Sequence, residues 1–124
     1  MKDIRRYKHF TTEEFDSPDE VGSGKLMNPE VIERLDIVRD MCGFPVIINS
    51  GYRTVSHNKK IGGVSRSSHL SGLAVDISVK DSRKRFLLLS AVIKAGFVRI
   101  GLGNGFIHVD IDSEKSQDVI WTYN

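Results

Sequence analysis

The sequence is poor in several features that define protein classes. It has a single cysteine, Cys42, so no intramolecular disulfide can form and oxidation has no part in the fold. No apolar run approaches the roughly 20 residues that a membrane-spanning helix needs, and we expect no membrane partner. Neither sign of charge predominates, because 18 Lys and Arg residues are nearly balanced by 16 Asp and Glu residues. The resulting net charge of +2 gives little reason to expect a nucleic-acid partner.

Two basic segments are exceptions to this charge balance. Arg83-Lys84-Arg85 is typical of a solvated helix face, and a nucleic-acid-binding domain would depend on this cluster and mild basicity alone. Residues 1–8 are also basic, but polar and acidic residues follow them instead of an apolar run. Because this is not the pattern of a secretory signal, we expect synthesis in the cytoplasm without a signal peptide.

Two segments have the signals of helices. The first begins at Asn28-Pro29-Glu30, which supplies a cap, a first-turn proline and an acidic residue, and it ends at Gly43. Its apolar residues at helical spacing are Val31, Ile32, Leu35, Val38 and Met41. The second is capped by Asp81 or Ser82 and ends at Ala95-Gly96. Its expected apolar stripe is formed by Phe86, Leu89, Ile93 and Phe97.

Strand patterns separate these helices. Residues 45–49 are rich in β-branched side chains and are predicted to form a buried strand. Residues 73–79 alternate, with Ala74, Asp76 and Ser78 on one face and apolar side chains on the other. Asp76 is therefore expected to face away from the apolar side of the sheet.

A hairpin is predicted near the end of the chain. Residues 98–102 and 105–111 are its strands, and the second strand places His108 and Asp110 on one face. Residues 119–123 are apolar enough to dock on the body of the protein.

The length and the order of elements predict one domain. A chain of 124 residues, 40% hydrophobic and 27% charged, is typical of a single soluble globular domain, here spanning residues 1–124. We expect a small α+β fold, mainly an antiparallel sheet with helices packed against it. The long polar segment 51–66 is expected to be a loop that lines a site.

Three side chains have the chemistry of a metal site. Zinc accepts neutral imidazole nitrogen and carboxylate oxygen, and three such ligands leave a fourth position open for water or substrate. His69 at the end of a loop, Asp76 on the strand that follows and His108 from another strand could provide these ligands, which points to a hydrolase. By spacing alone, His69 could instead be a surface residue and Asp76 a strand-end carboxylate bonded to backbone.

Several short motifs together resemble the M15 family of zinc peptidases. They are Ser50-Gly51-Tyr52-Arg53, His57-Asn58, Gly62-Gly63, Ser67-x-His69-x-x-Gly72-x-Ala74-x-Asp76 and Phe106-Ile107-His108-Val109-Asp110. The resemblance runs from about Phe10 to Trp121 and is strongest to the branch of D-alanyl-D-alanine carboxypeptidase-like enzymes and phage murein endopeptidases. Their fold is related to the hedgehog signalling domain.

This resemblance implies roles for particular residues. It implies one zinc ion per chain, held by His69, Asp76 and His108. It also places Arg53 near the metal, where its guanidinium would bind a substrate carbonyl or carboxylate and stabilise developing negative charge. Ser67 is expected to be a loop hydroxyl that supports the site, since a metal site makes a serine nucleophile unnecessary.

The general base is where the sequence departs from the family pattern. Many relatives have a Glu three residues before the last ligand, or a His two before it, but here those positions are Gly105 and Phe106. Asp110 is the nearest acidic candidate for a catalytic role, although it could instead orient a ligand or hold the fold. His57 is a further polar group on the segment that is expected to line the site.

The resemblance implies a peptidase that cleaves the stem or cross-link peptides of bacterial peptidoglycan. Such a chain, expected to be a monomer and a phage or prophage lytic protein, would reach the cell wall after lysis, by holin-type release or as part of a virion. The alternative is a non-catalytic, zinc-containing module of the same fold that binds murein peptide or a protein partner.

Overall fold

A mixed five-stranded sheet organises the molecule, and the computed structural model describes it within residues 6–123. The strands in chain order are β1 (Ile47–Ser50), β2 (Ala74–Ser78), β3 (Arg99–Leu102), β4 (Phe106–Asp110) and β5 (Val119–Thr122). Their order across the sheet is β1-β2-β4-β3-β5, and every neighbouring pair is antiparallel except β3 with β5. The expected α+β fold with a mainly antiparallel sheet is confirmed.

The first and the third α-helices cover one face of this sheet. The α-helices are α1 (Pro29–Cys42), α2 (Val55–Lys60) and α3 (Ser82–Lys94), and short 3-10 helices lie at Thr12–Phe15, Ser23–Leu26 and Ser68–Ser71. The Asn28 side chain accepts a hydrogen bond from the backbone of Glu30 at the start of α1. At the end of α1, Gly43 adopts the left-handed conformation, with φ of +79°. Both predicted helices are confirmed, whereas α2 replaces part of the expected loop over 51–66.

The hydrophobic core lies between the sheet and helices α1 and α3. The buried side chains of the sheet that form it are Val75, Ile77, Ile100, Ile107 and Val109. Those of the two helices are Val31, Ile32, Leu35, Val38, Leu88, Ala91 and Val92. Because the apolar side chains of β2 are in this core, Asp76 faces the opposite side of the sheet, as predicted.

The predicted burial is wrong at one residue of α1, at two residues of α3 and in the first strand. Met41 is exposed, although it continues the apolar spacing of α1. Phe86 and Ile93 are also exposed, and α3 buries Leu88, Ala91 and Val92 instead. Two overlapping apolar stripes fit this helix, and tertiary packing selects the one that faces α1 and β4. The predicted buried strand is in fact an edge strand in which Ile47 is 57% exposed, because β-branched residues suit edge and central strands alike.

One row of residues crosses the whole sheet on the face opposite the core. Directly paired positions in this row are Ser50 with Asp76, Asp76 with His108, His108 with Gly101, and Gly101 with Trp121. The row includes one residue from each of the five strands. Among the described residues 6–123, no helix combines the length and apolar character that crossing a membrane would require.

Candidate metal centre

The fold brings the three predicted ligands together. Asp76 and His108 are directly paired across β2 and β4, and His69 lies on the 3-10 helix that precedes β2. All three are buried, and one potential ligand atom from each lies within 4.8 Å of the others. The alternative in which His69 is a surface residue is therefore wrong, and the Asp76 carboxylate bonds to side chains rather than to backbone.

His69 is held in one orientation by a backbone carbonyl. Its Nδ1 lies 2.8 Å from the oxygen of Gly51, and because a carbonyl only accepts, Nδ1–H is the donor. A neutral imidazole then has its lone pair on Nε2, which lies 3.4 Å from Oδ1 of Asp76. Ser67 caps the 3-10 helix by accepting a hydrogen bond from the His69 backbone, which is the supporting role that the sequence predicts.

His108 lies between two carboxylates. Its Nε2 is 2.7 Å from Oδ2 of Asp110, and its Nδ1 is 2.9 Å from Oδ1 of Asp76. Burial lowers the pKa of His108, but the hydrogen bonds to Asp110 and Asp76 outweigh it and raise the pKa above its ordinary value. When neutral His108 donates Nε2–H to Asp110, its remaining lone pair on Nδ1 faces Asp76.

This donor set fits a cation. Burial raises the pKa of Asp76, but the hydrogen bonds with His108 and His69 outweigh it and hold the pKa well below its usual range. The carboxylate of Asp76 is thus anionic, and its Oδ1 lies 3.4 Å from Nε2 of His69 and 2.9 Å from Nδ1 of His108. When these two nitrogens lose their protons, their lone pairs face the carboxylate, and a cation between the three groups would take the place of the protons. Two imidazoles and one carboxylate are a ligand set that zinc uses in catalytic sites.

Arg53 contacts the candidate centre through Asp76. Its Nη2 lies 3.2 Å from Oδ2 of Asp76, while Nε donates to Ser50 Oγ at 3.0 Å and Nη1 donates to Asn58 Oδ1 at 3.2 Å. The guanidinium is largely buried and lines the same cavity as the three candidate ligands. The structure therefore places Arg53 where the sequence predicts it, beside the candidate ligands.

Asp110 is fully engaged behind His108. Its Oδ1 accepts hydrogen bonds from Arg99 Nε at 2.7 Å and from the backbone of Asp112 at 3.0 Å, and its Oδ2 accepts from His108. The residue is only 1% exposed. Burial raises the pKa of Asp110, but the hydrogen bond with His108 leads the effects that lower it, so it is ionised. Of the roles left open by the sequence, this geometry favours orientation of a ligand.

A cavity of about 450 Å³ opens in front of the candidate centre. Arg53 and residues 62–64 line it, so the segment 51–66 borders the site as predicted even though part of it is helical. His57 lies on α2 and lines a neighbouring cavity with Arg53. Sequence reasoning missed Trp121 and Tyr123, which also line the main cavity. Their alternate spacing indicated a shared face, but nothing local indicated which strand they would join.

Comparison with known families agrees with this placement. A family model described as Peptidase M15 matches residues 8–110. The matched segment contains Arg53 and the three candidate ligands, and it ends at Asp110, before β5. No curated protein matches the chain.

Proposed function

Because this chain belongs to the peptidase M15 family, a family of metallopeptidases, we propose that it is a zinc-dependent peptidase acting on the stem or cross-link peptides of bacterial peptidoglycan. The convergence of Nε2 of His69, Oδ1 of Asp76 and Nδ1 of His108 on one point carries this proposal. These three atoms would hold the zinc ion. The adjoining cavity gives a peptide access to that point.

Different residues around the centre would orient the metal ligands and bind the substrate. When bound, zinc supplies a Lewis acid that polarises the scissile carbonyl and makes water nucleophilic near neutral pH. The carbonyl oxygen of Gly51 and the carboxylate of Asp110 hold the two imidazoles so that their lone pairs face Asp76. Arg53 lies beside Asp76 and would bind the substrate carbonyl or carboxylate as negative charge develops there.

Metal content and peptide release test this proposal together. We expect protein purified without added metal or chelator to contain one zinc ion per chain by mass spectrometry, and to release peptide fragments from purified peptidoglycan. His69→Ala and His108→Ala should lose both zinc and fragment release, because each removes one of three ligands. His9→Ala is the matched control, since His9 pairs with Asp40 outside the centre. Zinc retained by both ligand variants would overturn the assignment of the site.

A specific feature supports a second candidate, a zinc-containing module that binds murein peptide or a protein partner without cutting. Gly105 and Phe106 occupy the positions where many relatives carry a catalytic Glu or His, so the base of those relatives is missing. Zinc-loaded protein that sediments with peptidoglycan but releases no fragments would favour this module. Release of fragments that depends on Arg53 would favour the peptidase.

A further inference from the structure

Three aromatic side chains form one side of the cavity, and we call Phe106, Trp121 and Tyr123 the aromatic wall. The ring centroids of Phe106 and Tyr123 are 5.2 Å apart, and those of Trp121 and Tyr123 are 6.4 Å apart. The Trp121 ring lies 5.5 Å from that of His108, so the wall begins directly beside a candidate ligand. Two of its members lie beyond the residues matched by the family model.

Two glycines, one on β3 and one just after it, make room for this wall. Gly101 lies between His108 and Trp121 in the row that crosses the sheet, and a Cβ atom there would lie 2.7 Å from Nε1 of Trp121 and 2.8 Å from Cε2 of Tyr123. A Cβ atom on Gly103 would overlap the ring of Phe106. A side chain at either glycine would therefore displace the aromatic rings from this part of the sheet.

The strand β5 contributes no side chain to the hydrophobic core. Ile120 and Thr122 point away from the cavity and are exposed, whereas Trp121 is half-buried and faces the cavity. Tyr123 continues the pairing, since its backbone N–H donates to the oxygen of Leu102, and the residue is 46% exposed. Trp121 and Tyr123 thus face the cavity and leave apolar surface available to a ligand.

Arg53 and the aromatic wall lie on different sides of the candidate ligands, and the cation beside the wall, Arg99, is paired with Asp110. In the row across the sheet, Arg53 contacts Ser50 and Asp76 at one end, and Trp121 lies at the other. A peptide that directs its carbonyl or carboxylate toward Arg53 would therefore place a neighbouring side chain against the rings of the wall. The rings are inclined to each other by 49° and 64°, so they form an uneven apolar surface rather than one flat platform. Such a surface suits methyl and methylene groups better than a planar stack on a sugar ring.

We propose that the aromatic wall is the subsite for the aliphatic side chain of a substrate residue next to the scissile bond. This role rests on the proposed peptidase function and adds the class of side chain that the site selects. Tyr123 and Phe106 are the residues in the wall that do not contact a candidate ligand ring directly, so they are the positions at which the subsite can be altered with least effect on the centre.

Steady-state kinetics with two synthetic peptides test the subsite. One peptide is a peptidoglycan stem pentapeptide, and the other has every alanine replaced by glycine. We expect Tyr123→Ala to raise KM for the first peptide about tenfold, the effect of losing the contact with one methyl group of the substrate. KM for the second peptide, which lacks that methyl group, should change little. Tyr123→Phe should behave as the unaltered protein because it keeps the ring. Thr122→Ala is the matched control, since Thr122 is a neighbour on the opposite face.

Binding can be measured without turnover, because Trp121 is the only tryptophan in the chain and its fluorescence reports on the wall itself. We expect the stem peptide to change the emission of zinc-loaded protein, with an affinity that falls about tenfold in Tyr123→Ala. A fluorescence change of this kind without cleavage would contradict the peptidase, and with it the place of the wall beside a scissile bond, but would support the wall as a binding site for the peptide. If Tyr123→Ala has the same KM as the unaltered protein for each of the two peptides, the subsite is overturned and the peptidase proposal stands. If Tyr123→Ala weakens the binding only of peptides that carry the murein disaccharide, the subsite is overturned as well.

Discussion

Of the two carboxylates beside His108, Asp110 holds the ring from the side away from the candidate centre. Asp110 accepts hydrogen bonds from His108, Arg99 and the backbone of Asp112, and it is almost completely buried. A carboxylate is needed here because both of its oxygens accept, which an amide side chain cannot do. The tautomer that directs the Nδ1 lone pair of His108 at Asp76 is therefore set from behind the ring.

We predict that Asp110→Asn weakens zinc binding by about 10- to 100-fold, the usual effect of losing a partner of a metal-binding histidine. The amide has one oxygen that accepts and one NH2 group that donates. The NH2 group would face a donor on either His108 or Arg99, so the hydrogen bond that fixes the orientation of the histidine is weakened or lost. Competition with a chromogenic chelator measures the affinity. Asp118→Asn is the control, because exposed Asp118 has a φ of 59° that asparagine also adopts. An unchanged affinity in Asp110→Asn would show that Asp110 does not orient the ligand.

A second carboxylate makes a pH-dependent contribution to stability. Asp19 accepts hydrogen bonds from Ser17 and from Thr54, the residue that caps α2. These bonds lower the pKa of Asp19 in the folded state, so its contribution to stability is present above the unfolded pKa of about 4 and is lost as the pH falls through the folded pKa. We predict a small loss of stability in Asp19→Asn at pH 7 that disappears in acid. Urea unfolding midpoints of both proteins across this pH range measure it, and a difference that grows in acid would contradict it.

Among the elements, β5 acts on the site through β3. The two strands are the only parallel pair within residues 6–123, and the direct pairing of Gly101 with Trp121 brings the indole over His108. The guanidinium of Arg99 lies 4.9 Å from the centre of the Trp121 ring and adds a cation–π contact. The position of the aromatic wall therefore follows from the register between these strands.

We predict that Gly101→Ala displaces the indole of Trp121 while the fold is retained. The added methyl group would lie under 3 Å from both Trp121 and Tyr123, and such overpacking costs about 1–3 kcal/mol. The emission maximum of Trp121 should move toward the red as the ring becomes more exposed, and urea unfolding should show the loss of stability. Thr122→Ala should change neither quantity. An emission spectrum that is identical in Gly101→Ala would contradict the close approach of these strands.

The elements differ in how far the sequence predicts them. The first helix, β2 and the β3–β4 hairpin carry strong local signals, such as the Asn28 cap and the alternation around Asp76, and all are confirmed. The helix α2 was missed because its six residues include a single large apolar side chain, Val55, and no periodicity. Trp121 and Tyr123 were missed as residues of the site because their placement depends on pairing between distant strands, which local patterns do not specify.

At the scale of the whole molecule, the core and the candidate centre lie on opposite faces of one sheet. The core is closed by α1 and α3, and none of the candidate ligands is among its apolar side chains. The fold therefore has an apolar core that does not depend on a metal ion, unlike small domains that unfold when zinc is removed.

We predict that chelation of zinc lowers the melting temperature by several degrees but leaves the secondary structure intact. Zinc at 100 times its dissociation constant would stabilise the folded state by about 2.7 kcal/mol, and removal abolishes this contribution. Circular dichroism measures both quantities, with protein chelated and then reloaded as the control for reversibility. Loss of secondary structure on chelation would contradict the independence of the core and would favour a structural role for the metal.

The row from Ser50 to Trp121 also has a consequence for folding. It takes one residue from every strand, yet its spatial order differs from the order of the strands along the chain, and β5 follows the other four. Pairing of β2 with β4 brings Asp76 and His108 together, but the far side of the cavity is absent until β5 docks on β3. A partly folded molecule in which β5 is undocked would therefore hold its candidate ligands without a completed binding surface.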